Sequence, residues 1–149
     1  MQNHLRPIAI AIILRPRDNA ILVMRGHDLH KNQTFYRPLG GSIEFGEPSA
    51  QTVRRELREE VGLELCDLRY LATLENIFTY RGQPGHEIVI VYHARLAPAS
   101  THAYDQDQLQ GVEDTGQPFT AHWIPLSHFG PGGPPLYPTG LLELLDKGR

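Results

Sequence analysis

Apolar residues recur along this chain with two different periods. From Leu5 to Leu14 they run almost unbroken and are rich in Ile, the pattern of a strand buried on both faces. Asp18-Asn19 is a turn signal, and Ala20–Met24 reads as the returning strand. Arg25 to Thr34 is polar and reads as a loop carrying His27, His30 and Lys31, side chains suited to phosphate although exposed polar loops are common. Phe35 to Glu44 then leads through Gly40-Gly41 to a change of period. Ser49 to Val61 holds no Gly or Pro, and Ala50, Val53, Leu57 and Val61 form one apolar stripe at helical spacing. Pro48 suits the first turn of that helix and Gly62 its stop.

Downstream, Leu68–Phe78 and Glu87–Leu96 read as strands of a long hairpin joined through Arg81-Gly82-Gln83-Pro84-Gly85. Ala97 to Pro118 is polar and nearly devoid of large apolar residues, which predicts a long loop, either disordered or a lid. Phe119–Pro125 reads as a strand around Trp123, and Gly130–Pro135 as a connector. Thr139 is placed to cap a last helix, Gly140–Lys147, with Leu141, Leu142, Leu144 and Leu145 facing inward. Periodicity alone gives a mixed α and β fold in one domain, 1–149, with no internal repeat.

Composition narrows the function. A chain of 149 residues with 40% hydrophobic and 21% charged residues has material for one core and is not the composition of a disordered chain. A net charge of -3 argues against a dedicated nucleic-acid surface. A polyanionic substrate then needs metal ions or a local cluster of cations. Cys66 is the only cysteine, so no intrachain disulfide forms and a reducing, cytoplasmic setting fits. No stretch is long enough to span a membrane as a helix, and the Ile8–Leu14 run is read as a strand, not a leader. A homodimer is compatible with everything above.

The chemistry lies in the predicted helix. Glu56, Glu59 and Glu60 stand at i, i+3 and i+4, so three carboxylates share one face. Such a face is ordinarily just solvated; it also suits a hard divalent cation, which takes oxygen ligands together with substrate phosphates. Gly41, Glu47, Arg55, Glu56, Leu57, Glu59, Glu60, Gly62 and Leu63 fit G-x5-E-x7-R-E-U-x-E-E-x-G-U, where U is aliphatic. On those residues the chain resembles the Nudix hydrolases, and the order of elements extends the resemblance over nearly its whole length.

The resemblance implies an α+β fold, a single-domain α/β/α sandwich with a mixed sheet between helices. It implies an enzyme that cleaves a nucleoside diphosphate linked to another moiety, by water attack at phosphorus with Mg²⁺ or Mn²⁺. The small-molecule substrates it implies are nucleotides, dinucleoside polyphosphates, ADP-ribose or nucleotide sugars. Glu56, Glu59 and Glu60 are then the catalytic metal ligands, with the Gly40 carbonyl and a distal carboxylate, Glu113 ahead of Asp114 and Glu87, completing the set. Glu56 holds the position of the general base in some members. Gly41, Glu47, Arg55 and Gly62 are implied to be structural, Arg55 bridging to Glu47. Arg37, Tyr80 and Glu87 are the candidate substrate contacts, with His86 beside the last; Tyr80 resembles a base-stacking Tyr of dinucleoside polyphosphate hydrolases. The usual Leu-Pro-Gly-Gly is here Pro38-Leu39-Gly40-Gly41, with the glycines in register. The alternative is a non-catalytic module that binds a nucleotide metabolite, against which every signature Glu is kept.

Overall fold

The strand from Leu5 to Ile13 (β1) is the centre of the molecule, and its two faces feed two cores. In the computed structural model, which describes residues 3–147, Ala9, Ala11 and Ile13 pack on one side with Val53 and Leu57 of the helix Ser49–Val61 (α1). Ile8, Ile10 and Ile12 pack on the other side with Leu141 and Leu145 of the helix Leu141–Lys147 (α2). A strand buried on both faces needs apolar residues at every position, which is why this stretch shows no alternation.

β1 belongs to a mixed four-stranded sheet between the two helices. Its order is Gly40–Ser42 (β4), β1, Gln83–Leu96 (β6) and Leu65–Tyr80 (β5), with β1 parallel to β6 and the other pairs antiparallel. A second sheet is antiparallel throughout, in the order Gln33–Pro38 (β3), Ile21–Asp28 (β2), Pro118–Ile124 (β8) and Gln108–Val112 (β7). The α+β class and the mixed sheet between helices are as the sequence implies; the second sheet is the addition.

Four local expectations are corrected. The polar stretch Arg25–Thr34 is not a loop: β2 continues to Asp28, β3 starts at Gln33, and only the short turn between them is irregular. Asp28 builds that turn, its Oδ1 accepting from the backbone N–H groups of His30 and Lys31. The hairpin turn is shorter than Arg81–Gly85, because Arg81 and Gly82 both adopt left-handed backbone (φ 51° and 78°) and close a two-residue turn. Residues 97–118 are not one long loop. They form a 3-10 segment, Pro98–Asp105, then β7, with the turn beyond Val112 closed by the Glu113 N–H to the Gln117 carbonyl at 2.8 Å. Thr139 caps nothing: its N–H and hydroxyl both donate to Asn76 Oδ1, each at 3.1 Å.

Candidate active site

α1 is docked so that its acidic face meets the β4 loop and the β7–β8 turn. Its apolar stripe fixes the rotation: Val53 and Leu57 are fully buried, and Glu56, one residue before Leu57, is carried inward to 1% exposure. Gly62 ends the helix in left-handed conformation, its N–H returning to the Arg58 carbonyl at 3.0 Å. Gly41 is required by close approach, since a Cβ there would run into the Glu56 carboxylate. Gly40 is required too, because its Cβ would meet the Ala9 carbonyl and Ile10 Cα of β1.

Arg55 organises the carboxylates. Its guanidinium holds Glu47 in a bidentate pair (Nε–Oε2 2.7 Å, Nη2–Oε1 3.0 Å) and also donates to Glu56 Oε1 at 3.0 Å and Glu59 Oε2 at 3.3 Å. A further bond to the Ser42 carbonyl at 3.2 Å ties helix to loop. The planar fork suits this role, and the Arg55–Glu47 bridge implied by the sequence is present. The Arg55 hydrogen bonds, with help from the Thr52 hydroxyl, pull the Glu47 carboxyl down to about 2. Burial works the other way on the acidic face of α1. It pushes the Glu56 carboxyl up, with Asp114 adding repulsion, and it drives Glu60 up to about 8 with the charges of Glu56 and Asp114 behind it.

Glu56, Glu59 and Asp114 come together, each offering a carboxylate oxygen, with those oxygens all within 4.8 Å of one another. Glu60 stands beside them, raised by burial and by the charges of Glu56 and Asp114, but is not one of the converging three. Among the described residues Glu56 Oε2 and Glu60 Oε1 are buried without a hydrogen-bond partner. Buried carboxylate oxygens in that state are costly unless a cation compensates them, so the donor set fits a hard divalent ion such as Mg²⁺ or Mn²⁺. Of the three distal candidates it is Asp114 that joins this group, while Glu113 and Glu87 line the adjoining cavity.

That cavity, about 600 Å³, lies between the two sheets and runs on from Gly40 and Gly41. Arg37, Tyr80 and Glu87, the substrate contacts read from sequence, all line it. Sequence reasoning missed their companions Phe35, Asn76, Arg6 and Tyr137. Phe35 makes edge-on contacts with Tyr80 (centroids 5.8 Å) and Tyr137 (5.6 Å), and the Arg81 guanidinium covers Tyr80 at 5.1 Å. Tyr137 reaches the wall because its backbone N–H bonds the Tyr36 carbonyl at 2.9 Å, beside β3. His86, the neighbour of Glu87, instead pairs outside with Glu75 at 2.9 Å. His27 bonds Thr34 across the β2–β3 hairpin at 3.1 Å; His27 and Lys31 line the cavity, whereas the His30 ring packs by Gly82.

Known proteins resemble this chain in sequence and in fold. The human mitochondrial NAD(P)H pyrophosphatase NUDT13 is 34% identical over 92 residues, 62% of this chain and 24% of that protein. The NAD-capped RNA hydrolase NudC of Erwinia tasmaniensis is 36% identical over 72 residues, 48% of this chain and 27% of its own. The chain thus spans about a quarter of the length of the curated relatives it matches. The crystal structure of a MutT Nudix hydrolase from Burkholderia pseudomallei superposes with a TM-score of 0.66 at 23% identity, covering 96% of this chain and 98% of that one, a likeness of fold. The model of the Nudix domain matches residues 4–139, the span that holds both sheets, the acidic helix and the cavity, and the chain belongs to the Nudix family.

Proposed function

We propose that this protein is a metal-dependent hydrolase that cleaves the diphosphate linkage of a nucleoside diphosphate joined to another moiety. The observation that carries the reading is the convergence of Glu56, Glu59 and Asp114 beside two partnerless buried oxygens, at the mouth of a nucleotide-sized cavity. Glu56, Glu59 and Asp114 would hold Mg²⁺ or Mn²⁺, with Glu60 and the Gly40 carbonyl the next candidates. A cation bound there supplies charge neutralisation of the diphosphate and lowers the cost of generating the attacking hydroxide.

The chain's own groups do the rest. Arg55 holds the Glu56 and Glu59 carboxylates in place and so removes the cost of gathering them for each turnover. Arg37 lines the cavity near Glu60, whose carboxyl its charge draws down, and offers positive charge to the phosphates. Glu60 is the group suited to take a proton from water, since it stands beside the converging carboxylates and, among the described residues, one of its buried oxygens has no other partner. Glu56 is the second candidate for that role. The aromatic end, Phe35, Tyr80 and Tyr137, receives the nucleoside side of the substrate.

The names of the relatives favour NAD-type dinucleotides as the first substrates to try. The test is a panel of NADH, ADP-ribose, dinucleoside polyphosphates, nucleoside triphosphates and nucleotide sugars with Mg²⁺ or Mn²⁺, measuring nucleoside monophosphate and phosphate release. Hydrolysis that stops in excess EDTA supports the reading. No cleavage of any member, or undiminished cleavage in EDTA, rejects it.

A further inference from the structure

The floor of the cavity is the face of the mixed sheet that carries Ile8 and Ile10, and two polar side chains interrupt it. Glu87 on β6 and Asn76 on β5 are neighbours across the hairpin, each 5% exposed, and both line the cavity. A carboxylate buried among isoleucines and aromatics needs several good donors. Glu87 has two long contacts, Asn76 Nδ2 to Oε1 at 3.4 Å and Arg6 Nη1 to Oε2 at 3.5 Å. Most of its capacity to accept is unspent. Asn76 is the opposite case: Oδ1 takes two bonds from Thr139, which fixes the amide with its N–H₂ end toward Glu87. The pair therefore presents a rigid donor beside a strong, under-used acceptor.

Its position relative to the acidic helix identifies what it meets. The sheet order β4, β1, β6 puts Glu87 two strands from Gly40, and the register, Gly40 opposite Ile10 and Glu87 opposite Arg6, sets it four residues further along, about 16 Å away at the usual strand spacing and rise. Ile8 and Ile10 pave the interval, an apolar surface under a sugar. Beyond lie Tyr80, Phe35 and Tyr137, faces and edges for an aromatic ring. A diphosphate held at Gly40-Gly41 thus sets its own base, not its ribose, over Asn76 and Glu87.

We propose that Glu87 and Asn76 select a nucleobase that carries an exocyclic amino group, the Glu87 carboxylate accepting from that amino group while Asn76 Nδ2 donates to the adjacent ring nitrogen. The proposal rests on the reading of the site as a nucleoside diphosphate site and specifies its base. An oxo base turns a carbonyl oxygen toward the carboxylate in place of the amino group. That exchanges an attractive contact for a repulsive one in a site sheltered from water.

Equilibrium binding of AMP against IMP, and of CMP against UMP, measured with Mg²⁺ and with no diphosphate linkage to cleave, tests this apart from catalysis. Each amino nucleotide is expected to bind at least about tenfold more tightly than its oxo partner. In Glu87→Gln, which can offer an amide N–H to a carbonyl, both ratios are expected to fall to within about twofold. Asn76→Ala, which leaves the carboxylate in place, serves if Glu87→Gln fails to fold, and is expected to lower both ratios while preserving the amino preference. Equal binding of the partners by the wild type, no binding of any of the four, or ratios unmoved by a folded Glu87→Gln, overturns the proposal. The hydrolysis panel reports separately. Selective binding without hydrolysis would remove the enzyme reading and leave the base selection standing, and unselective hydrolysis would do the reverse.

Discussion

Glu60 combines the two demands that meet in this site, shelter for chemistry and the expense of sheltering charge. Its carboxyl, ordinarily near 4.5, is held up to about 8 by burial and by the neighbouring carboxylates. In the unfolded chain it gives up its proton near 4.5, whereas the metal-free folded protein keeps it until about 8. Between those values the folded state binds more protons, so stability falls as pH rises through the window. Glu60→Gln abolishes that loss. In EDTA the variant is expected to melt at least about 4 °C above wild type at pH 8 and level with it at pH 4. The same variant is expected to lose about a hundredfold or more in kcat with Mg²⁺. Thermal scans in EDTA at the two pH values, beside a kcat measurement, check both; equal melting points at pH 8 would place Glu60 outside the repelling cluster. Arg55 carries the opposite lesson. Arg55→Lys keeps the charge and loses the fork, and is expected to lower Tm by roughly 4–8 °C and to lower kcat with it.

Elements, more than single residues, decide which carboxylates meet. The β7–β8 turn brings two acids to α1 and orients them differently, Asp114 to the acidic cluster and Glu113 to the cavity. Asp114→Asn is expected to raise the Mg²⁺ concentration needed for half-maximal rate by about 10–100-fold, as removal of a metal partner does. Glu113→Gln is expected to act mainly on KM. Titrating Mg²⁺ against both variants separates the roles, and identical metal curves would deny Asp114 its place. That turn also shows where sequence reading stops. α1 and its acidic face are legible because one helix carries them within two turns, and the β5–β6 hairpin because its apolar runs are long. β7 is not, since its five residues, Gln-Leu-Gln-Gly-Val, bury only Leu109 and Gly111. The inward place at Gly111 belongs to the Phe119 ring and the Glu60 carbonyl, so the strand is made of a residue that carries no strand signal. Asn76, Phe35, Arg6 and Tyr137 were illegible for a different reason: they reach the cavity from separate strands and a connector, and no spacing in the chain relates them.

For the whole molecule, the acidic cluster and the Arg55 pair set stability in two separate ranges of conditions. Mg²⁺ or Mn²⁺ is expected to raise Tm near neutral pH by about 4 °C or more at saturation, and EDTA to reverse it, because the unfolded chain does not gather the cluster. Differential scanning with and without EDTA measures this. In acid Glu47 is one of the groups that lend stability: its ordinary 4.5 is lowered to about 2 in the fold, so its contribution is complete above 4.5 and is lost as pH falls toward 2. Arg55→Lys is expected to flatten that acid limb. The two sheets are joined at the far end of the cavity by Asp28, whose Oδ2 accepts the Arg81 N–H at 3.1 Å across from the other hairpin. Burial pushes this carboxyl up, but the backbone N–H groups of Arg81, Lys31 and His30 outweigh it and hold it below its usual range. The parallel pairing of β1 with β6 reaches further still, into how the molecule is made. Leu5 lies opposite His86 and Ile13 opposite Ala94, so the main partner of β1 is a strand that the ribosome delivers only after the whole acidic helix and β5. Until then only the three residues of β4 can cover one edge of β1. The β5–β6 hairpin, by contrast, closes on itself through a two-residue turn. Folding is therefore expected to begin with the hairpin and finish with β1, a slow, long-range closure. The most apolar stretch of the chain is thus also the one that waits longest for its sheet, and it is there that a nascent or heated molecule is most exposed to pairing with the wrong neighbour.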